Sequence, residues 1–245
     1  MARVNGVRGQ LVESGIRLLE REGLQALSAR NLAAEAGTST MAVYTHFGGM
    51  TGLIDAIASE AFARFTRALT EVTGTDDPVA DFFLMGIHYR EFALANPRRY
   101  QLMFGTSAES LNRFHADLTV TGSASGRAEF ALSFEALLSV VRRMIAAGRI
   151  RDDGESAIAG RLWSFIHGEV LLEMAGYFGQ EGHGVTQILA PLTVDVLVGM
   201  GDDREKTVES LETAVDAAGR PTWQRRDRSE VDSTPGGEPQ QPAPA

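Results

Sequence analysis

Residues 28–47 read Ser28-Ala29-Arg30-Asn31-Leu32-Ala33-Ala34-Glu35-Ala36-Gly37-Thr38-Ser39-Thr40-Met41-Ala42-Val43-Tyr44-Thr45-His46-Phe47. Ser28 is a good N-cap, so a short helix starts at residue 29, runs to 36 and stops at Gly37. Ser39 or Thr40 can cap a second short helix ending near Phe47, where Gly48-Gly49 breaks the chain. Two short helices joined by the tight Gly37-Thr38-Ser39 turn make a helix-turn-helix. In such a pair the second helix enters the major groove and presents its first residues to base edges.

The inward positions of this pair are apolar: Leu32, Ala33, Ala36, Val43 and Phe47. The outward ones are small or hydrogen-bonding, which lets the helix sit deep in a groove. Thr40 can bond a base edge, and Met41 and Ala42 can touch thymine methyls. Tyr44, Thr45 and His46 lie further along the outward face, with Tyr44 and His46 placed to reach phosphates. Arg30, early in the first helix of the pair, can reach a phosphate or a flanking base. Ser28 and Ser39, at the two helix starts, complete the expected DNA-contacting set.

Upstream, residues 8–22 place Leu11, Gly15, Leu18 and Leu19 on one helical face, and Gly23 ends that helix. The unit therefore has three helices. Residues 1–50 carry five Arg against four Glu, whereas the whole chain carries -9. A near-neutral head on an acidic body leaves nucleic-acid contact to one end only.

The stretch from Gly23 to Gly37, followed by Val43-Tyr44-Thr45-His46-Phe47, resembles the TetR family of bacterial transcriptional regulators. The resemblance covers roughly residues 8–60. It implies an all-α homodimer whose subunits each have an N-terminal helix-turn-helix head and a C-terminal helical domain for ligand binding and dimerisation. Most such proteins are repressors released by a small molecule. The family usually has a Lys three residues after the Phe, where it meets a phosphate; here that position is Met50. Gly52, in the first turn of the next helix, is expected to weaken it by roughly 0.5–1 kcal/mol relative to Ala.

The rest of the 245 residues also reads as helix, without alternating strands or internal repeats. Residues 50–73 form a linking helix. Asp76-Asp77-Pro78 opens another, to about Asn96, and Pro97 starts a short one through Phe104. Residues 105–125 read as a loop, and 127–147 carry a one-sided apolar stripe. Residues 155–178 and 185–199 are apolar on almost every side, with Pro191 as a kink. Their surplus apolar faces are the expected dimer interface, forming a four-helix bundle with those of a second subunit. Residues 203–218 are helical, acidic and weakly amphipathic. Residues 220–245, with five of the eight Pro, read as a disordered tail. The expected domains are thus a DNA-binding head over 1–50, a ligand-binding and dimerisation domain over 51–219, and the tail.

Two further stretches, Asn96-Pro97-Arg98-Arg99-Tyr100-Gln101-Leu102-Met103-Phe104 and the region of Trp163-Ser164-Phe165-Ile166-His167-Gly168, resemble a C-terminal subclass of the same family named for its Trp, His and Gly. The side chains expected to line an effector cavity are Phe82, Phe83, His88, Tyr89, Phe92, Tyr100, Met103, Phe104, Phe134, Trp163, His167 and Met174. A mostly apolar cavity with a few polar groups suits a small, largely apolar effector. Ligand packed against the far end of the linking helix would tilt it and change the spacing of the two heads.

Other classes fit poorly. With no Cys there is no thiol nucleophile, disulfide or Cys-based metal site. His46, His88, His115, His167 and His183 form no H-E-x-x-H, and there is no G-x-S-x-G or phosphate-binding G-x-x-x-x-G-K. No catalysis and no cofactor are expected. No apolar run is long enough to span a membrane and the start lacks a signal peptide's apolar region, so a cytoplasmic protein is expected. The expected function is a dimeric regulator, most simply a repressor that a small effector releases from a pseudopalindromic operator. The alternatives are a regulator without an effector, or an activator.

Overall fold

The computed structural model describes residues 6–71, 74–104, 128–179 and 182–219, and every regular element among them is helical. The expected loop at 105–125 and the expected disordered tail at 220–245 lie outside the described residues.

The head opens with α1 (Val7–Glu22), closed by Gly23, whose N–H donates to the Leu19 carbonyl at 2.8 Å. A single 3-10 turn follows, and then α2 (Ala29–Glu35) and α3 (Thr40–Phe47). Ser28 caps α2 as expected, its hydroxyl accepting from the Asn31 N–H at 3.2 Å. Ser39 holds the N-cap position of α3 but makes no side-chain capping bond. The helices close on a core of Leu11, Ile16, Leu19, Leu32 and Val43, joined by Leu53 and Ile57 of α4 (Met50–Thr70).

Two glycines set the packing of α4. A Cβ at Gly15 would stand 2.4 Å from the Ile57 Cδ1 atom, so α1 and α4 approach through the missing side chain. A Cβ at Gly52 would stand 2.0 Å from the Phe47 carbonyl oxygen. The expectation that Gly52 merely weakens its helix is therefore overturned. Glycine is what permits α3 to turn into α4 so tightly.

The linking helix α4 is shared. Leu53, Ile57 and Ala58 belong to the head's core, and Ala61, Phe62, Phe65 and Leu69 to the body's. It ends at Thr70, short of the expected residue 73. The body continues with α5 (Pro78–Ala95), where Asp77 accepts from the Val79 and Ala80 N–H groups and Pro78 fills the first turn. Next come α6 (Pro97–Phe104), α7 (Ala128–Ala146) and α8 (Glu155–Met174). The stripe on α7 is buried along α4, α5 and α8 through Phe130, Phe134, Val141 and Met144.

The expected helix 155–178 stops at Met174, because Gly176 turns left-handed (φ 86°) and the Tyr177 N–H donates back to the Leu172 carbonyl at 3.1 Å. Residues 185–199 divide into a π-helical turn (Val185–Leu189) and α9 (Ala190–Gly199), with Pro191 in the first turn of α9. Pro191 cannot donate an i to i-4 bond, and the widened turn ahead of it absorbs that loss.

The last helix, α10 (Arg204–Ala217), docks on α5 through Thr207, Ser210 and Ala214, all buried. Its contact face is made of small and hydroxyl residues, which is why it looked weakly amphipathic. Polar bonds hold it in place. Arg149 donates to both Asp202 oxygens at 2.7 and 2.9 Å, and the Ser210 hydroxyl donates to Asp77 at 2.6 Å.

One helix joins head and body from a distance in sequence. Leu102 of α6 is buried in the head's core, while Tyr100 and Met103 of the same helix are fully buried in the body's.

Candidate functional site

The outer face of α3 is bare. Met41 is 68% exposed and Tyr44 57%, although both are large. Thr40, Thr45 and His46 share that exposed face, with Ser39 at its start. Val43, the inward residue between them, is fully buried. Ala42 and Ser28 are half-buried, and Arg30 is exposed on α2. None of the expected DNA-contacting residues is buried. Ser28 spends an acceptor lone pair on its cap, which leaves its O–H free to donate to a phosphate.

Electrostatics sort the arginines nearby. Arg17 and Arg21 are both held by the Glu35 carboxylate, at 3.3 and 3.0 Å. Arg8 differs. Its guanidinium stands 5.0 Å over the Phe47 ring, beside the C-terminal end of α3, and the residue is exposed. The sequence reading did not select it; its only local signal was a cation in the first turn of α1. Met50 packs half-buried against the head's core.

The body holds the second candidate feature. Its aromatic centre contains an ordered chain of polar atoms. The Trp163 Nε1–H donates to the Tyr89 hydroxyl at 3.3 Å, the two phenol oxygens of Tyr89 and Tyr100 stand 2.6 Å apart, and Tyr100 stands 2.6 Å from His167 Nδ1. Burial pushes the His167 pKa below its usual value, which keeps the ring neutral, and pushes both phenols up. A neutral ring offers one acceptor. The Tyr89 hydroxyl also stands 2.9 Å from the same Nδ1, so both phenols converge on that one acceptor and the ring proton sits on Nε2. This is a satisfied structural network.

Of the residues expected around an effector, Phe82, Tyr89, Phe104, Phe134 and Trp163 surround a void of only about 40 Å³. That is room for about one water, not for an organic molecule. Tyr100 and His167 lie behind it in the polar chain. Met103 is core, and Phe92 stacks on Phe65 with centroids 5.2 Å apart. His88 bonds the Ala68 carbonyl at 3.0 Å, tying α5 to α4. Met174 packs partly buried at the end of α8.

The larger space lies next door. A cavity of about 510 Å³ opens between α5, α8, the π turn, α9 and α10. Phe82 and Phe83 line it with Ile166, Val185 and Leu189. Phe82, Gly86 and Ile166 also wall the small void, and a Cβ at Gly86 would meet nothing within 4 Å. Phe82 and Phe83 were anticipated; the π turn and α10 were not, because their part in the wall depends on long-range packing.

Beside this cavity the side chains of three charged residues, Arg90 of α5 with Glu169 and Glu173 of α8, are buried together. Arg90 donates from Nε to Glu173 at 2.7 Å, and a second guanidinium nitrogen donates to the other carboxylate oxygen. Glu169, one turn earlier on α8, is 4% exposed, and neither oxygen has a hydrogen-bond partner among the described residues. Burial, with a smaller contribution from the Glu173 charge, pushes its carboxyl up to about 7, and Arg90 opposes the shift.

The face of α8, the π turn and α9 turned away from this core is open. It carries Leu172 (47% exposed) on α8, Ile188 (37%) on the π turn and Leu192 (38%) on α9, and a Cβ at Gly168 would meet nothing within 4 Å. Among the described residues, no helix is long and apolar enough to cross a membrane.

An exposed second helix of a helix-turn-helix pair on a packed three-helix head, over an all-helical body with a cavity, is the architecture of a helix-turn-helix regulator. Residues 11–57 match the family described as bacterial regulatory proteins of the tetR family, and residues 82–197 match the tetracyclin repressor-like C-terminal domain. The chain belongs to the TetR family of DNA-binding transcriptional regulators. It is 28% identical to an uncharacterized HTH-type transcriptional regulator of Mycobacterium tuberculosis, over 69% of this chain and 71% of that one. A structure of a protein of unknown function from Rhodococcus sp. RHA1 is similar at 28% identity and a TM-score of 0.65, covering 81% of this chain and 97% of that one. The fold is also that of RolR in complex with resorcinol, at 16% identity and a TM-score of 0.57, covering 85% of this chain and 92% of that one.

Proposed function

We propose that this chain acts as a dimeric, effector-responsive regulator, most simply a repressor that leaves a pseudopalindromic operator when a small, largely apolar molecule binds the body. The observation that carries the reading is the pairing of a bare α3 face with a roomy body cavity, joined through α4 and α6. A cavity of about 510 Å³ lies within the range of small-molecule sites and argues against a body that only dimerises.

In this reading Thr40, Met41 and Ala42 read base edges, while Ser28, Arg30, Ser39, Tyr44, Thr45 and His46 fix the head on the backbone. The open face of α8 and α9 seats a second subunit, with Gly168 allowing close approach. Two-fold symmetry then sets the recognition helices about 34–36 Å apart, or a multiple of that. An effector that prefers the non-binding state by about 2.7 kcal/mol lowers operator affinity about 100-fold. Such a protein works in the cytoplasm, where its operator is.

The test is selection of bound DNA from a random pool with the full-length protein. A pseudopalindrome bound by the wild type and lost on Thr40→Ala with Tyr44→Ala, with unfolding unchanged, supports the reading. Recovery of unrelated sequences, or equal binding by the double variant, overturns it.

A further inference from the structure

The cavity has a sign of charge. Its walls are mostly apolar, with Thr186 and Thr193 among them, and the charged residues lining it among the described residues are Arg90, Glu212 and Asp216. Arg90 is already neutralised, because its fork closes on Glu173 and both side chains are under a tenth exposed. Glu169, close enough to feel both charges, is buried with no hydrogen-bond partner among the described residues, and adds negative potential when ionised. Glu212 and Asp216 are exposed, one turn apart on α10, on either side of Val215. Like charges at this spacing disfavour a helix, so α10 itself gains nothing from the pair. The cavity therefore has an apolar interior, a self-cancelled ion pair on its wall and two carboxylates at its mouth.

Taking the cavity as the effector site proposed above, we infer that its ligand is an amphiphilic organic cation. The apolar part packs among Phe82, Phe83, Ile166, Val185 and Leu189, and an ammonium group sits at the mouth between Glu212 and Asp216. An anion of the same shape meets two carboxylates there, and inside it meets an arginine already committed to Glu173. A neutral analogue keeps the apolar contacts and loses only the attraction at the mouth.

The experiment compares decylamine, decanol and decanoate as monomers in calorimetric titrations of the full-length protein at low salt. Decylamine is expected to bind about tenfold or more tightly than decanoate, with decanol between them, and added salt should narrow the gap. The double variant Glu212→Gln with Asp216→Asn should bring decylamine down to the affinity of decanol. Equal or tighter binding of decanoate, or a preference that survives the double variant, overturns the inference. If the order holds but none of the three affects the operator complex, the charge preference stands and the effector reading falls. If none of the three binds, the cavity is not a ligand site and both fall together.

Discussion

Arg99 on α6 donates from Nε to the Glu20 carboxylate of α1 over 2.6 Å, and Arg98 beside it donates to the Glu20 carbonyl over 2.9 Å. One residue of the head is thus gripped twice by one helix of the body. Tyr100, next along α6, ends in the polar chain to His167. One short helix thus touches both the body's aromatic centre and α1. Both partners are partly exposed, at 16% and 26%, so the ion pair contributes only modestly to stability. A double-mutant cycle of Glu20→Gln and Arg99→Gln, measured by urea unfolding, should give a coupling of about 1 kcal/mol. A cycle that closes at zero would show that the contact does not tie the two parts together.

Met50 stands at the position where the family resemblance implies a phosphate-binding Lys. Met50→Lys adds one ionic contact at the start of α4, so operator binding should tighten and the slope of log affinity against log salt should steepen by about 1. The check is operator titration at several salt concentrations; an unchanged slope would place this helix end away from the backbone.

Two glycines should respond oppositely to alanine. Gly52→Ala forces a Cβ against the Phe47 carbonyl and should destabilise the protein by about 1–3 kcal/mol. Gly86→Ala meets open space in mid-helix and should stabilise by about 0.5–1 kcal/mol. Gly86→Leu grows into the cavity and should abolish decylamine binding without unfolding the chain. Thermal melts and calorimetry of the three variants decide the matter.

Glu169 predicts a pH dependence with a definite sign. Its carboxyl titrates near 7 in the folded protein and near 4.5 when unfolded, so across that window the folded state holds the extra proton. Stability contributed at this site falls as pH rises from about 4.5 to about 7 and is flat above. Glu169→Gln removes the charge, and should flatten that slope and stabilise the protein at alkaline pH by about 1–3 kcal/mol. Identical pH profiles for variant and wild type would mean that the carboxylate is already neutralised by another group.

The open face of α8 and α9 should behave as a contact surface. Leu172→Glu places a charge on it, and should leave helicity intact while yielding a monomer with greatly weakened operator binding. Light scattering coupled to size exclusion would report a dimer if the interface lies elsewhere.

Much of the head was legible because its signals are local. Ser28, Gly37 and Gly48 mark helix ends, and the alternation of Val43 with its polar neighbours assigns the faces of α3 within a single turn. The body was legible in its helices and not in its spaces. Whether Trp163 and Phe134 enclose a ligand or only each other depends on packing between residues far apart in sequence. The Arg99–Glu20 bond spans 79 positions and leaves no periodic trace. Nothing local marks Glu169 among the several polar residues of α8, and α10 concealed its docking face by using Thr207, Ser210 and Ala214. Gly52 misled for the same reason, since propensity does not register a carbonyl oxygen from the preceding helix.

The burial of Leu102 among head residues bears on how this protein can be re-engineered. A graft that carries only residues 1–71 onto a foreign scaffold would leave α1 without the leucine that seals it and Glu20 without its arginines. Chimaeras that retain DNA reading will have to import α6 with the head, or choose a recipient whose own equivalent helix supplies a matching side chain. The seam between reader and sensor therefore does not follow any single cut in the chain.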